Sequence, residues 1–510
     1  MASSNNDGRS LDITLVDMSG QEITKGTWHG HCKTHELFQA AYNSKPGYLC
    51  KLLHGSRELS PQSDLASLGQ GLGPLTVVWI LGADQKKQWA HAFAAVKSDG
   101  SVITWGDSDL GGDSSRVEHR LQEGVVQVVC AGPAFAAVKS DGSVITWGDA
   151  AFGGDSSSVE QRLQEGVVQV VGNGGGAFAA VKSDGSVITW GKADDGGDSS
   201  RTEHRLQEGV EQVVGNYHVF AAVKSDGSVI TWGRDGCGGD SSSIEHRLQE
   251  NVVQVVGNGQ AFAAVKSDGS VITWGRAVHG GDSSRVEHRL QEGVMQVVGN
   301  GHAFAAVKLD GSVITWGDTV SGGDSSRVEH RLQEGVVQVV FSGRAFAAVK
   351  SDGSVITWGH SDFGGDSSDI QHRLQECVVQ VVGNGSGAFA AVKSDGSVIT
   401  WGDPNLGGDS SRLEHRLQEG VVQVVFSSFA FAAIKSDGSV ITWGDSDAGG
   451  DSSDVEHRLQ EGVVQVVGNY SAFAAVRSDG SVITWGDTAS GGDSSRVEHR
   501  LREGVSGCFS

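Results

Sequence analysis

Residues 92–106 read Ala92-Phe93-Ala94-Ala95-Val96-Lys97-Ser98-Asp99-Gly100-Ser101-Val102-Ile103-Thr104-Trp105-Gly106. Asp-Gly is the turn signal of a tight hairpin, because both central positions favour a positive φ. The residues on either side are apolar, β-branched or aromatic, as strands require. The string Ser-Val-Ile-Thr-Trp-Gly then returns until it has occurred ten times. Its tryptophans are Trp105, Trp147, Trp190, Trp232, Trp274, Trp316, Trp358, Trp401, Trp443 and Trp485. The spacings are 42 or 43 residues; the two longer ones come from one-residue expansions around Gly174–Gly176 and Gly385–Gly387. Self-similarity at a fixed period of this size marks a repeat architecture.

The rest of the unit follows outward from the hairpin. Asp113-Ser114-Ser115 opens a short helical turn. Ser115 and Glu118 have the spacing of a capping box, and Val117 and Leu121 give the turn one apolar stripe. Glu123-Gly124 ends it. Val125-Val126-Gln127-Val128-Val129 predicts a third strand, apolar on both faces and therefore buried. Three strands and a helical turn are too few to bury their own apolar surface, so neighbours must stack. The pattern predicts a mainly β chain built as a propeller-type array of ten units over residues 90–510. It leaves two closures open, a wide ring or an open spiral. The first hairpin has no Val-Val-Gln-Val-Val before it, and the last unit trails off as Glu503-Gly504-Val505-Ser506, which favours an open or imperfectly closed array.

The repeat explains the composition. Glycine numbers 75 of 510 residues, about twice the ordinary ~7%, and most of it is copied punctuation. Only 5 prolines are present, so the glycine is not collagenous. No apolar run reaches the ~18 residues of a membrane span, and Met1 to Ser10 lacks a secretory apolar core. The net charge of −23 argues against binding nucleic acid through its phosphates, which takes lysine and arginine. Six cysteines at irregular spacing read as thiols of a reducing compartment, cytoplasmic or nuclear.

The units, Ala-Phe-Ala-Ala-Val-Lys-Ser-Asp-Gly-Ser-Val-Ile-Thr-Trp-Gly, then Gly-Gly, then Val-Val-Gln-Val-Val-Gly, resemble the regulator of chromosome condensation repeat. They are most similar to its compact form in the bacterial β-lactamase-inhibitor propeller. The resemblance covers about residues 90–505. It implies seven-bladed propellers that act as a small-GTPase exchange factor, as chromatin binders, as ligase-associated domains or as inhibitors. No exchange-factor signature transfers to a residue of this chain, and ten units exceed seven.

Residues 11–82 stand outside the repeat. Strands at 11–17, 48–53 and 75–81, a return strand from Glu22 and a helix over Thr34 to Tyr42 give the order ββαββ, a β-grasp. Lys51 to Leu59, Leu65-x-x-Leu68 and Leu75 to Leu81 resemble ubiquitin-like domains. That resemblance places Met18, Leu53 and Val78 at the three positions of ubiquitin's apolar recognition patch; core packing is the competing reading of these residues. The Gly-Gly tail is absent, so docking rather than conjugation is implied. Residues 1–10 read as a disordered N-terminus and 83–89 as a polar linker.

No catalytic group is expected. Glu118-His119 and its copies lie one per unit and adjacent on a turn, so they diverge; solvated histidine and capping glutamate are the expectation. The Asp-Ser-Ser copies read as caps. No metal spacing, nucleotide loop or nucleophile–base pair appears, and no cofactor is implied. Information lies where the copies differ, after Trp-Gly and after Val-Val. A fixed frame with changing loops suits a protein-binding surface, with drift as the competing reading. The large side chains there are Phe152, Tyr217, His218, His279, His302, Arg344, Phe363, Phe429 and Tyr470, expected to be exposed. The sequence therefore suggests a non-enzymatic interaction scaffold with ubiquitin receptors and a protein cargo as partners. The alternatives are a subunit or fragment of a ubiquitin ligase, or a guanine-nucleotide exchange factor.

Overall fold

In each unit the Ser-Asp-Gly-Ser turn closes a short hairpin. Asp99 Oδ1 accepts the Ser101 amide at 2.9 Å, and Gly100 takes φ +77, against Gly124 of its own unit, where a side chain would be strained. The computed structural model of the chain describes residues 10–16, 22–29, 37, 48–54, 57–58, 74–81 and 90–510.

Among the described residues, the repeats form ten three-stranded antiparallel sheets. In the second, the inner strand is Val125–Ala131, the middle strand Ala134–Lys139 and the outer strand Val144–Gly148. The blades are numbered by their tryptophans, Trp105 in blade 1 to Trp485 in blade 10. Successive inner strands touch one another, so the inner edges face the common axis.

The inner strand is not buried throughout, as its apolar run suggested. Pairing skips one residue between Val125 and Gln127. This bulge turns Val126 outward to 62% exposure while Val125 and Val128 stay buried. Val168, Val422 and Val464 are exposed at the same bulge position.

Alanines on the middle strand let neighbouring sheets approach closely. Ala92, Ala94 and Val96 of blade 1 pack on Phe135 and Trp147 of blade 2 with Leu121 between them. All ten copied phenylalanines are fully buried, and each stacks on the tryptophan of its own blade, as Phe135 does on Trp147 at 5.4 Å. Each tryptophan reaches the preceding blade: Trp147 Nε1 donates to the Gly111 carbonyl at 3.0 Å, and Trp358 Nε1 to that of Gly322 at 3.0 Å.

The array is closed, contrary to the open reading. The degenerate terminal stretch Val505–Phe509 is the inner strand of blade 1, antiparallel to Ala92–Lys97. Trp105 Nε1 donates to the Gly491 carbonyl of blade 10 at 3.0 Å, and Phe93 and Trp105 pack on Ala472, Ala474 and Leu501. Strand pairing runs through the backbone, so Ser506 and Gly507 can stand where most other copies have Val and all have Gln. Ten blades close at about 36° each instead of the ~51° of seven.

The capping box also gives way. The turn is a 3-10 helix, Glu118–Arg120, with no side-chain cap at its start. Asp113 Oδ1 takes the Ser115 amide instead, at 2.8 Å. The Glu118 carboxylate is drawn away from its own backbone to Arg500 of the preceding copy, at 2.8 Å.

The N-terminal strands β1 (Ser10–Val16), β2 (Glu22–His29), β3 (Tyr48–His54), β4 (Arg57–Glu58) and β5 (Leu75–Leu81) form one sheet in the order β2-β1-β5-β3-β4. β1 and β5 are parallel and the other pairs antiparallel. Ile13, Leu15, Leu75, Val77 and the helical Leu37 are fully buried.

Candidate interaction face

Both variable stretches lie at the same end of the blades, opposite the Ser-Asp-Gly turns. Within a blade they are stapled together. Asn173 Nδ2 donates to the Asp195 carbonyl at 2.6 Å while its Oδ1 accepts the amides of Gly175 and Ala177. Asn216, Asn258, Asn300, Asn384 and Asn469 make the same reach to Cys237, His279, Ser321, Leu406 and Ser490. The asparagine of Gly-Asn is thus part of the frame.

Between blades, the residue ending one loop meets the residue that precedes the next middle strand. Phe152 of blade 2 fills the space over Gly176, which has no room for a Cβ. Phe363 of blade 7 sits in the same way beside Gly387. Asp195 Oδ1 receives His218 Nδ1 at 2.8 Å, the rings of His279 and His302 meet edge-on at 4.7 Å, and Ser490 Oγ lies 3.2 Å from His91 Nδ1 across the closing junction. A chain of rings, Phe429, Tyr470 and His91, spans blades 9, 10 and 1.

The junction of blades 3 and 4 is the most charged. Asp195 is fully buried, with Lys192 Nζ 2.8 Å from Oδ2 and Arg234 Nη2 2.9 Å from Oδ1. Burial pushes its carboxyl up, but the hydrogen bonds from Lys192 and His218 prevail and hold it below the usual aspartate value. His218 is lowered by its own burial, against the pull of Asp195.

Seven of the nine large variable side chains are therefore half-buried and not exposed as expected: Phe152, His218, His279, His302, Phe363, Phe429 and Tyr470. Tyr217 and Arg344 are exposed. Two residues that the sequence reading passed over join them. Val278 and Val320, 62% and 55% exposed, occupy equivalent loop tips on adjacent blades 5 and 6. The same position holds Asp109, Ala151, Asp194, Gly236, Asp362, Asn405, Asp447 and Ala489 elsewhere, so an aligned list of loops contained the signal.

The opposite, turn-side face carries the copied Glu-His-Arg. His119 and its eight counterparts are exposed. The arginine directly after the histidine pairs with the glutamate of the next copy, as in Arg120–Glu160 at 3.2 Å, Arg289–Glu329 at 3.0 Å and Arg416–Glu456 at 2.8 Å. Gln371 accepts in place of glutamate from Arg331 at 3.2 Å.

In the N-terminal sheet, Met18 lies outside the described residues. Leu53 is paired with Thr76 and Val78 with Lys51, so by register Leu53 and Val78 share one sheet face, opposite that of Leu75 and Val77.

No family model matches the sequence, and no curated protein does. Solved structures with similarity include Prp20p from Saccharomyces cerevisiae, whose report concerns its binding to Gsp1p and histones. It is 13% identical, over 71% of this chain and 82% of that one, with a TM-score of 0.31. Human WBSCR16 is 17% identical over 68% and 99% of the two chains, with a TM-score of 0.32. The computationally designed Ika8 protein is 14% identical over 63% and 96%, with a TM-score of 0.29. At such TM-scores the blades rest on their own strand ladders and not on these likenesses.

Proposed function

We propose that the chain is a non-enzymatic protein-interaction scaffold whose loop face binds a protein partner over blades 4 to 7. The observation that carries this reading is the pair of exposed valines, Val278 and Val320, side by side where most copies are acidic or small. Tyr217 and Arg344 flank them, and aromatic and arginine side chains dominate binding hot spots. The half-buried variable residues shape this face from below. Val278→Asp with Val320→Asp, in a pull-down or crosslinking experiment, removes the captured partner while the circular dichroism melt stays unchanged. A partner that remains bound to that variant sinks the assignment.

The N-terminal domain, read as ubiquitin-like, docks ubiquitin receptors through Met18, Leu53 and Val78. The strand order with parallel β1 and β5, and the shared face of Leu53 and Val78, support this. Leu53→Ala with Val78→Ala abolishes binding to ubiquitin-receptor domains; unchanged binding, or none by the natural chain, ends this half of the proposal.

A further inference from the structure

At the closing junction, on the turn side, lies a pocket of about 470 Å³ whose lining includes Lys97, Ser101, His499, Arg500, Arg502 and Glu503. Its chemistry departs from the repeat at one position. Nine copies read Arg-Leu-Gln-Glu and the tenth reads Arg-Leu-Arg-Glu, so Arg502 stands where the others have glutamine. In six of the nine other copies the amide folds back on its own turn, as Gln122 Nε2 does to the Glu118 carbonyl at 2.9 Å and Gln291 Nε2 to that of Glu287 at 2.8 Å. A guanidinium at this place is longer and carries charge. Among the described residues Arg502 makes no ion pair, and neither does Lys97. Arg500 is engaged by Glu118 but stays a third exposed. Glu503 is the one carboxylate in the lining. Asp99, on the same turn as Lys97, has its Oδ1 occupied by the Ser101 amide.

We propose that this seam pocket binds a small phosphate-bearing polyanion. A planar guanidinium presents paired N–H donors that match phosphate oxygens, and the neighbouring Lys97 ammonium and Arg500 guanidinium add charge. On a chain of net charge −23, the lining carries three cations to one carboxylate, with Arg500 shared with Glu118 and Lys97 close enough to Asp99 to help hold its carboxyl down. The volume has room for a di- or triphosphate group, within the ~300–1,000 Å³ of ordinary small-molecule sites.

The repeat supplies its own controls. In titration calorimetry of the full chain with tripolyphosphate, one site is expected, weakening with added salt. Arg502→Gln restores the residue of the nine other copies, so it should fold as the natural chain does, and it weakens binding at least about tenfold, the loss of roughly 1.4 kcal/mol. Gln291→Arg rebuilds the pocket between Lys308 and Arg289 and adds a second site. No binding by the natural chain, or binding unchanged in Arg502→Gln, overturns the proposal. Citrate bound as tightly as tripolyphosphate overturns the phosphate assignment.

Discussion

The two faces of the ring solve the same junction in opposite ways. On the turn face, one contact is repeated: at eight of the ten junctions an arginine of one copy meets the glutamate of the next, at 2.8 to 3.2 Å, and at another Gln371 stands in for the glutamate. On the loop face, the contact changes from junction to junction: phenylalanine over glycine, aspartate with histidine, histidine with histidine, serine with histidine. A repeated contact holds any blade to any other. A matched contact holds one blade to one neighbour. Ten nearly identical units could pair out of order while folding, and the loop face makes wrong neighbours clash or leave a buried group unpaired.

The largest effect should come from the one junction where neither face acts alone. A chain ending at Gly504 loses the strand that closes blade 1, with the buried Val505 and Cys508. About 3–6 kcal/mol should go, judged by the burial and ladder bonds lost. Hydrogen exchange over residues 92–106 should rise to match; cooperative unfolding like that of the natural chain would show that the ring does not depend on its seam.

Next comes a double-mutant cycle on the loop face. Gly176→Ala sets a Cβ against Phe152 at a φ of +88 and should cost about 2–3 kcal/mol. In a Phe152→Ala background the clash with the ring is gone and only the close contact with the Cβ remains, leaving a coupling of about 1 kcal/mol or more in denaturant titrations. Additivity within error would mean that the pair is not matched.

A smaller effect, of opposite sign, concerns the turn that begins the inner strand. Cys377 stands in a left-handed conformation, φ +65, where most copies have glycine. Cys377→Gly should therefore stabilise by about 1 kcal/mol in a thermal or denaturant melt; a loss of stability would refute the strain. The smallest is Arg289→Gln on the turn face. Its pair with Glu329 is a third to a half exposed, so about 0.5 kcal/mol or less is expected, shrinking further in salt. A loss as large as that of Gly176→Ala would erase the contrast between the faces.

Strand and turn positions were legible in the sequence because local chemistry sets them: Asp-Gly turns, β-branched strands and glycine stops. Closure was not, because Val505-Ser506-Gly507-Cys508-Phe509 pairs through its backbone and has lost the copied side chains. The turn-face ion pairs escaped because their partners lie 40 or 41 residues apart, or 382 at the closing junction, and Glu118 satisfies a local capping rule equally well on paper. The loop-face pairs left a trace. The two 43-residue spacings follow the two loops that end in phenylalanine, Phe152 and Phe363. Each added glycine makes room for a ring.

Cys508 gives the seam a chemical reporter. Its thiol lies inside the closing strand, 3% exposed, and burial pushes its pKa up to about 12. Attack needs thiolate and access, and the shut ring withholds both. When the strand Val505–Phe509 peels away, both return at once. The rate at which a thiol reagent modifies Cys508 thus counts openings of the ring, one molecule at a time, without any label added to the chain.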